Sequence, residues 1–293
     1  MPNLKETRSR IVSIKSTMQI TSAMKMVSAA KLKKAQDAIT QMRPYAEKLQ
    51  EILSNVSGGG DDIEGGVFAK ARPVKNVLIV AVTSNRGLCG GFNSSVVKQV
   101  VNLLKGEYAD LYASGHVKIL AVGKKAGDFF KGRNIPLADT KTDIFNALNF
   151  QNSSAIAEEI MADFAAGKYD EVKVVYNSFK NAATQVVKTE MFLPIQTSSL
   201  SAGKASSTDY IFEPDKTEII VNLIPKALKT QFYKALLDSM AGEHGARMTA
   251  MHKATDNAKQ MAKDLTLQYN KARQAAITNE ILEIVGGAEA LKN

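Results

Sequence analysis

Several features are scarce in this sequence of 293 residues, and each scarcity excludes a class of protein. Cys89 is the only cysteine, so no internal disulfide can form and we expect a reducing compartment. The three histidines, His116, His244 and His252, form no HExxH motif and no cluster with the cysteine, which excludes the common zinc sites. No apolar run approaches the ~18 residues of a membrane span. The sequence therefore predicts neither a disulfide-rich, nor a zinc-binding, nor a membrane-spanning protein.

Fingerprints of nucleotide binding are also missing. TSNRGLCGGFN (83–93) stands between a predicted strand and a predicted helix, where a phosphate loop would lie. Its glycines, Gly87, Gly90 and Gly91, fit neither GxGxxG nor GxxxxGK followed by Ser or Thr. A tight turn explains them without a ligand. We predict no catalytic residue, no cofactor and no metal ligand in this chain.

The net charge of +9 is concentrated in the first fifth of the chain. Residues 1–57 hold ten Lys or Arg against four Asp or Glu, whereas 58–217 hold 18 against 17 and 218–293 hold ten against eight. Tyr45 is the only aromatic residue in the first segment, which leaves no stacking platform for nucleic acid bases. A solvated helix face, or a contact with an acidic protein surface, accounts for this charge.

Both ends of the chain carry the spacing of a coiled coil. From Leu4 to Val56, alternating steps of three and four residues predict one helix over about 3–57. A comparable series runs through Met251, Ala254, Ala258, Met261 and Leu265. Pro225 fits the first turn of this last helix, which we extend to about residue 285. Each seam needs a partner helix, and the simplest partner is the other one.

The segment between these helices alternates strands with helices, which is typical of a wound α/β layer. Strands are predicted at 77–82, 117–123, 171–179 and 184–194, and helices at 94–106, 124–132 and 153–167. The last two strands are expected to form an antiparallel edge. Residues 197–209 are rich in Ser, Gly and Ala and predict a mobile loop. The predicted domains are 1–57, 70–215 and 218–293.

The first seam turns polar at Thr21, Lys25 and Ser28, and there a second apolar stripe appears beside it. This stripe consists of Ile20, Ala23, Met24, Val27 and Ala30. Apolar residues on more than one side of a helix indicate burial by more than one neighbour. The alternatives are a local shift of register in a two-helix coil and a segment enclosed by a hydrophobic sleeve.

Three blocks of sequence resemble the gamma subunits of the rotary F-type ATP synthases, in the bacterial form. They are ITSAMKMVSAAKLKKAQ (20–36), TSNRGLCGGFN (83–93), and ARMTAMHKATDNAK (246–259) with YNKARQAAITNEILEIVGGAEAL (269–291). The resemblance implies an antiparallel left-handed coiled coil of the two terminal helices with an inserted Rossmann-like α/β domain. The single cysteine argues against the redox switch of plastid members.

The resemblance also implies partners and contacts. The expected partners are three alpha and three beta subunits, the epsilon and delta subunits and the ring of c subunits, with the chain peripheral on the cytoplasmic face of the bacterial inner membrane. Proton flow would turn this chain inside the alpha/beta ring, where ATP chemistry takes place. The implied contacts with that ring are Met24, Lys25, Arg247, Arg273, Gln274, Thr278 and Glu280. A nucleotide-binding α/β enzyme and a coiled-coil scaffold or nucleic-acid binder are the alternatives.

Overall fold

Residues 4–57, 66–69, 72–195 and 216–290 are described by the structure, a computed structural model of the chain. Two compact units are present: unit 1 is Met1–Ser28 with Met248–Asn293, and unit 2 is Ala29–Arg247. The predicted domain limits follow secondary structure rather than these units, and they stay a prediction. In chain order the elements are α1 (Leu4–Ser57), α2 (Gly66–Ala69), β1 (Val77–Val82), α3 (Phe92–Lys105), α4 (Ala109–Ala113), β2 (Val117–Val122), α5 (Lys124–Lys131), β3 (Leu137–Lys141), a 3-10 turn (Asp143–Phe145), α6 (Phe150–Ala165), β4 (Glu171–Phe179), β5 (Gln185–Leu193) and α7 (Lys216–Ala290).

The two long terminal helices confirm the predicted class of fold. Helix α1 ends at Ser57, as its spacing predicted. The expected start of the last helix at Pro225 was wrong, because α7 begins at Lys216 and contains Pro225 within it. The predicted loop at 197–209 lies outside the described residues.

The five described strands of unit 2 form one sheet in the order β3-β2-β1-β4-β5. Strand β1 pairs in parallel with β2 and β4, and β5 adds the expected antiparallel edge to β4. The central strand VLIVAV is buried at every position, as expected for a strand covered on both faces. Strand β3 was not predicted, since its sequence LADTK is polar and largely exposed at the sheet edge.

Alternate residues of β1 point into two separate cores. Val77, Ile79 and Ala81 pack with apolar residues of α3 and α5. Leu78, Val80 and Val82 pack on the other face with residues of α6 and with α7 residues between Ile224 and Leu236. The part of α7 between Ile224 and Leu236 therefore belongs to the core of the α/β layer.

The chain order creates a switch point at the carboxyl end of β1. From β1 the chain proceeds through β2 to β3, and it then returns to the other side of β1 as β4. In open α/β sheets, such a reversal leaves a crevice outside the carboxyl ends of the two strands, where ligands bind. In this chain the crevice is bordered by the turn after β1 (83–91) and by the hairpin between β4 and β5 (180–184).

Candidate functional site: helix surfaces and the strand-end crevice

The predicted seam of α1 is confirmed by its burial. Within unit 1, Leu4, Thr7, Ile11, Ile14, Met18, Thr21, Lys25 and Ser28 are all half-buried or buried, whereas most residues between them are exposed. In unit 2 the same series continues with Leu32 and Ala35, both buried. The side chains at these positions therefore face a neighbour inside the chain.

The hydroxyl groups in the polar part of the seam form hydrogen bonds. These bonds, rather than a shift in the register of the helix pair, account for the polar residues. Thr255 on α7 donates its hydroxyl hydrogen to the Thr21 hydroxyl, 2.8 Å away, across the helix pair of unit 1. The Ser28 hydroxyl, on a residue only 2% exposed, bonds the Met24 carbonyl at 2.7 Å. Such hydrogen bonds remove most of the penalty of burying a hydroxyl. The two terminal helices thus pair through small polar residues at this level.

The second apolar stripe of α1 is left at the surface. Ile20 is 60% exposed and Val27 is 57% exposed, and Ala23 and Ala30 are exposed as well. Met24 is half-buried, at the border between the stripe and the seam. Large apolar residues gathered on one exposed helix face mark a surface that another molecule covers.

The seam of α7 in unit 1 departs from the predicted series at one position. Met251 is 5% exposed, and Ala254, Ala258 and Leu265 are half-buried, as predicted. Met261 is 53% exposed, and Ala262 occupies the buried position instead with 8% exposure. Including Met261 in the seam was therefore wrong by one residue.

The last part of α7 combines exposure with apolar composition. Ile277, Ile281, Leu282, Ile284 and Val285 are between 46% and 71% exposed. The predicted contact residues Arg273, Gln274, Thr278 and Glu280 lie in the same stretch and are exposed too. Because this helix segment is exposed all round from Ile277 onward, its apolar side chains are available to another chain.

Arg247 differs from the other predicted contact residues because it is buried in unit 2. It is 8% exposed. Its guanidinium donates hydrogen bonds to the backbone carbonyls of Gly87 and, at 3.3 Å, of Arg86. It also pairs with the Glu243 carboxylate at 2.5 Å, one helical turn earlier. The guanidinium is thus engaged within the chain.

The glycine-rich turn after β1 is held by its own side chains. Asn93 accepts a hydrogen bond from the Ser84 amide at 2.9 Å and donates one to the Cys89 sulfur at 3.2 Å. Leu88 and Gly90 both have positive φ, at 64° and 59°, which lets the chain reverse within a few residues. Cys89 is 1% exposed, and burial raises the pKa of its thiol. A buried protonated thiol is a poor nucleophile, and the turn is a structural element.

The crevice at the switch point is occupied by α7. A Cβ built on Gly242 would lie 3.3 Å from the Phe92 ring and 3.5 Å from the Asn177 carbonyl oxygen, while Arg247 reaches Gly87. A dinucleotide-binding fold needs this space for its ligand. The alternative of a nucleotide-binding enzyme loses its site to the chain's own helix.

The described residues provide neither a membrane-spanning helix nor a cluster of metal ligands. In residues 4–57, 66–69, 72–195 and 216–290, no helix is long and apolar enough to cross a membrane. Over the same ranges, no three His, Cys, Asp or Glu side chains lie together in a way that could hold a metal ion.

The chain is similar to a known protein family over almost its whole length. A family model described as ATP synthase matches residues 3–291. The ATP synthase gamma chain of Flavobacterium psychrophilum is 60% identical over 292 residues, covering 100% of each protein. A chain in the central stalk and c-ring structure of the Tetrahymena thermophila mitochondrial ATP synthase is 32% identical, with a TM-score of 0.60 over 80% of this chain and 99% of that one. A chain of the Euglena gracilis mitochondrial ATP synthase shares the fold, with a TM-score of 0.69, 21% identity and coverage of 98% and 94%.

A helix pair with exposed apolar faces, and an α/β layer whose strand-end crevice holds the chain's own helix, are typical of a subunit of a larger assembly. The comparisons identify that assembly as a rotary ATP synthase and the class as its central-stalk subunits. Within this class, the chain belongs to the ATP synthase gamma-chain family.

Sequence reasoning missed the residues that surround Arg247. Glu243 precedes it by four positions, which is the spacing of an ion pair on one helix, and this was the available signal. Gly242 and Gly245 carry no local signal of their role. Their role depends on contacts with Phe92 and Ala182, which lie far away in sequence.

Proposed function

We propose that the chain is the rotor that couples proton flow through the c-ring to ATP synthesis by the alpha and beta subunits. The exposed apolar stretch between Ile277 and Val285 is the observation that carries this proposal. Exposed apolar side chains gathered on one helix end mark a surface that binds other chains. The identity of these chains comes from the family, whose catalytic ring consists of three alpha and three beta subunits.

The proposed contacts with that ring are Met24, Lys25, Arg273, Gln274, Thr278 and Glu280. Arg273, Gln274, Thr278 and Glu280 are exposed, and Met24 and Lys25 are half-buried at the edge of the apolar stripe. Arg247 is left out of this set because its guanidinium is bonded to Glu243, Arg86 and Gly87. Epsilon, delta and the c-ring complete the proposed partners, with the chain peripheral on the cytoplasmic face of the inner membrane.

Met24→Lys tests the rotor assignment at its most specific contact. A charge placed at the border of the apolar stripe would lose its hydration inside a sleeve, and it would bind carboxylates there. We expect a membrane-reconstituted complex with Met24→Lys to pump fewer protons for each ATP hydrolysed. ATP-driven acidification and phosphate release, measured on the same vesicles, give this ratio.

Met24→Leu is the matched control, because it keeps an apolar side chain of similar volume. We expect its pumping ratio to equal that of the unmodified chain. An unaltered ratio for Met24→Lys would remove Met24 from the proposed contacts. Failure of the unmodified chain to assemble with alpha and beta subunits would overturn the rotor proposal itself.

A further inference from the structure

The segment of α7 between Asp238 and Arg247 contacts both borders of the crevice at the switch point. On one border, Arg247 bonds the carbonyls of the turn after β1. On the other border, the Ser178 hydroxyl at the end of β4 donates to the Asp238 carboxylate at 3.3 Å. The helix is thus bonded to the carboxyl ends of the two strands at the centre of the sheet.

Two glycines let the helix approach the hairpin between β4 and β5. A Cβ on Gly245 would lie 3.0 Å from the Ala182 carbonyl oxygen and 3.2 Å from its Cα. A Cβ on Gly242 would lie 3.3 Å from the Gln185 side chain. These distances are shorter than ordinary van der Waals contact, so a Cβ at either position would require its neighbour to move by a few tenths of an ångström.

This arrangement weakens the helix that contains it. Each interior glycine costs about 1 kcal/mol of helix stability relative to alanine. Arg247 is a buried cation, and its desolvation offsets much of the attraction to Glu243. Apolar packing of the kind seen between Ile224 and Leu236 would hold the helix on the sheet without this loss of helix stability and without the desolvation of a charge. The glycines and the ion pair therefore fix a position and an orientation rather than maximise stability.

Arg247 is also the last residue of unit 2 along α7. A torsional load carried along the backbone of α7 from residue 248 toward Ile224 passes through this segment. Hydrogen bonds from a charged donor are directional and about twice as strong as neutral ones, and a guanidinium offers several in one plane. Its two carbonyl acceptors, on Arg86 and Gly87, belong to the turn that leaves the central strand.

We propose that Asp238, Gly242, Glu243, Gly245 and Arg247 form a mechanical joint through which α7 transmits torque to the α/β layer. Arg247 is a positioning residue in this joint: it fixes the helix to the Arg86–Gly87 turn, and Glu243 holds its guanidinium in place. This inference rests on the proposed rotor function and adds a site of load transfer inside the chain.

Amide hydrogen exchange of the purified full chain is the first test. In Arg247→Ala, we expect the amides of residues 84–91 to exchange at least about 10-fold faster, because charge-assisted bonds to that turn are lost. Arg247→Lys keeps a cation for Glu243 but cannot bond both carbonyls in one plane, so we expect an intermediate rate. Arg133→Ala, at an exposed position of unit 2, is the control and should leave the rate unchanged.

The second test measures torsional stiffness in the assembled catalytic complex. A probe is attached through Lys131→Cys, which is exposed, whereas the native Cys89 is buried. During the pauses between ATP-driven steps, we expect a larger angular variance of the probe with Arg247→Ala than with the unmodified chain or Arg133→Ala. A residue that only supports folding would change the yield of complex and leave this variance unchanged.

Each outcome decides between the two proposals. Faster exchange at 84–91 together with a larger variance supports the joint. Unchanged exchange in both Arg247→Ala and Arg247→Lys, or an unchanged variance in a variant that assembles, overturns it while the rotor function stands. If the chain with Arg247→Ala does not assemble, the angular variance is measured on the complex with Arg247→Lys instead. Hydrogen exchange is measured on the purified full chain and does not depend on assembly. A probe that does not rotate on the unmodified complex contradicts the rotor function instead.

Discussion

Large apolar residues are mostly buried in unit 2 of the molecule, whereas many of them are exposed in unit 1. In unit 2, all six residues of β1 (Val77–Val82) are no more than 2% exposed. In unit 1, Ile20 and Val27 are more than half exposed, and only a narrow seam of α1 is covered. Unit 2 buries its apolar residues within the chain, whereas unit 1 leaves many of them for other chains to cover.

This difference has an energetic consequence. Burying a Val, Leu, Ile or Phe side chain contributes about 1.5–3 kcal/mol, and unit 2 does so on both faces of its sheet. The seam of unit 1 contains Thr21, Ser28 and Thr255, whose hydroxyl bonds contribute about 0.5–1.5 kcal/mol each. We therefore expect the stability of the isolated chain to reside mainly in unit 2.

The largest expected effect comes from Phe232→Ala. Phe232 is fully buried on α7 and packs against Phe192, with 5.8 Å between ring centroids. Removing its ring should lower the free energy of unfolding by about 3–5 kcal/mol. Urea denaturation of the purified chain, followed by circular dichroism, measures this loss. Leu267→Ala, at a 54% exposed position of unit 1, should change it by less than about 0.5 kcal/mol. Equal losses of unfolding free energy at the two sites would contradict the conclusion that the stability resides mainly in unit 2.

His244 should make unit 2 sensitive to acid. Burial, together with the positive charges of Lys31 and Arg247, lowers the pKa of His244 to about 4 from its usual 6.5. Between these two values the unfolded chain binds a proton that the folded chain does not, so stability falls as the pH falls from 6.5 to 4.

We expect His244→Gln to reduce the loss of unfolding free energy between pH 7 and pH 5 by about 1 kcal/mol, after allowing for partial exposure. Denaturation curves at the two pH values measure it. His252→Gln is the control, since His252 is an exposed residue of the same helix. If the two variants lose stability equally between these pH values, the burial of His244 is not responsible.

The smallest expected effect concerns the polar seam of unit 1. Thr21→Val removes a hydroxyl that accepts from Thr255, and it should cost about 0.5 kcal/mol. Adding Thr255→Val should cost less than the sum of the single changes, because both partners are then apolar. A double-mutant cycle on thermal unfolding measures the coupling. Thr17→Val, whose hydroxyl bonds Ser13 in its own helix, should show no coupling with Thr255→Val.

Local patterns predicted most of the fold. The seam of α1 follows from a periodicity of 3.5 residues, and the central strand at 77–82 follows from a continuous β-branched run. The structure confirms both, together with the antiparallel edge. Strand β3 carries no such pattern, because its residues join the sheet through backbone hydrogen bonds to β2 rather than through buried side chains. Pro225 misled the helix boundary, since tertiary packing of α7 on the sheet tolerates a proline that an isolated helix would not.

The residues of the candidate site could be predicted only where their signal lies within one short stretch of sequence. Met24 belongs to an apolar stripe that the sequence of α1 shows by itself, and the proposed contacts near Ile277 follow from the family resemblance of one local block, residues 269–291. The partner of Arg247 could not be predicted, because Gly87 lies 160 residues earlier and meets it only after the sheet has formed. Arg247, which was predicted to contact other chains, thus forms its hydrogen bonds within its own chain.

The sequence by itself determined that both ends of the chain are helices with a seam, and that the middle is an α/β layer. These features depend on residues that are close together in the sequence, so short-range sterics and solvent exposure are sufficient to define them. Only the tertiary structure decided that α7 fills the crevice of the sheet and that Arg247 bonds the turn at Gly87. The reason is physical: a close approach permitted by Gly242 and Gly245 depends on where two distant segments lie, and no local spacing encodes it.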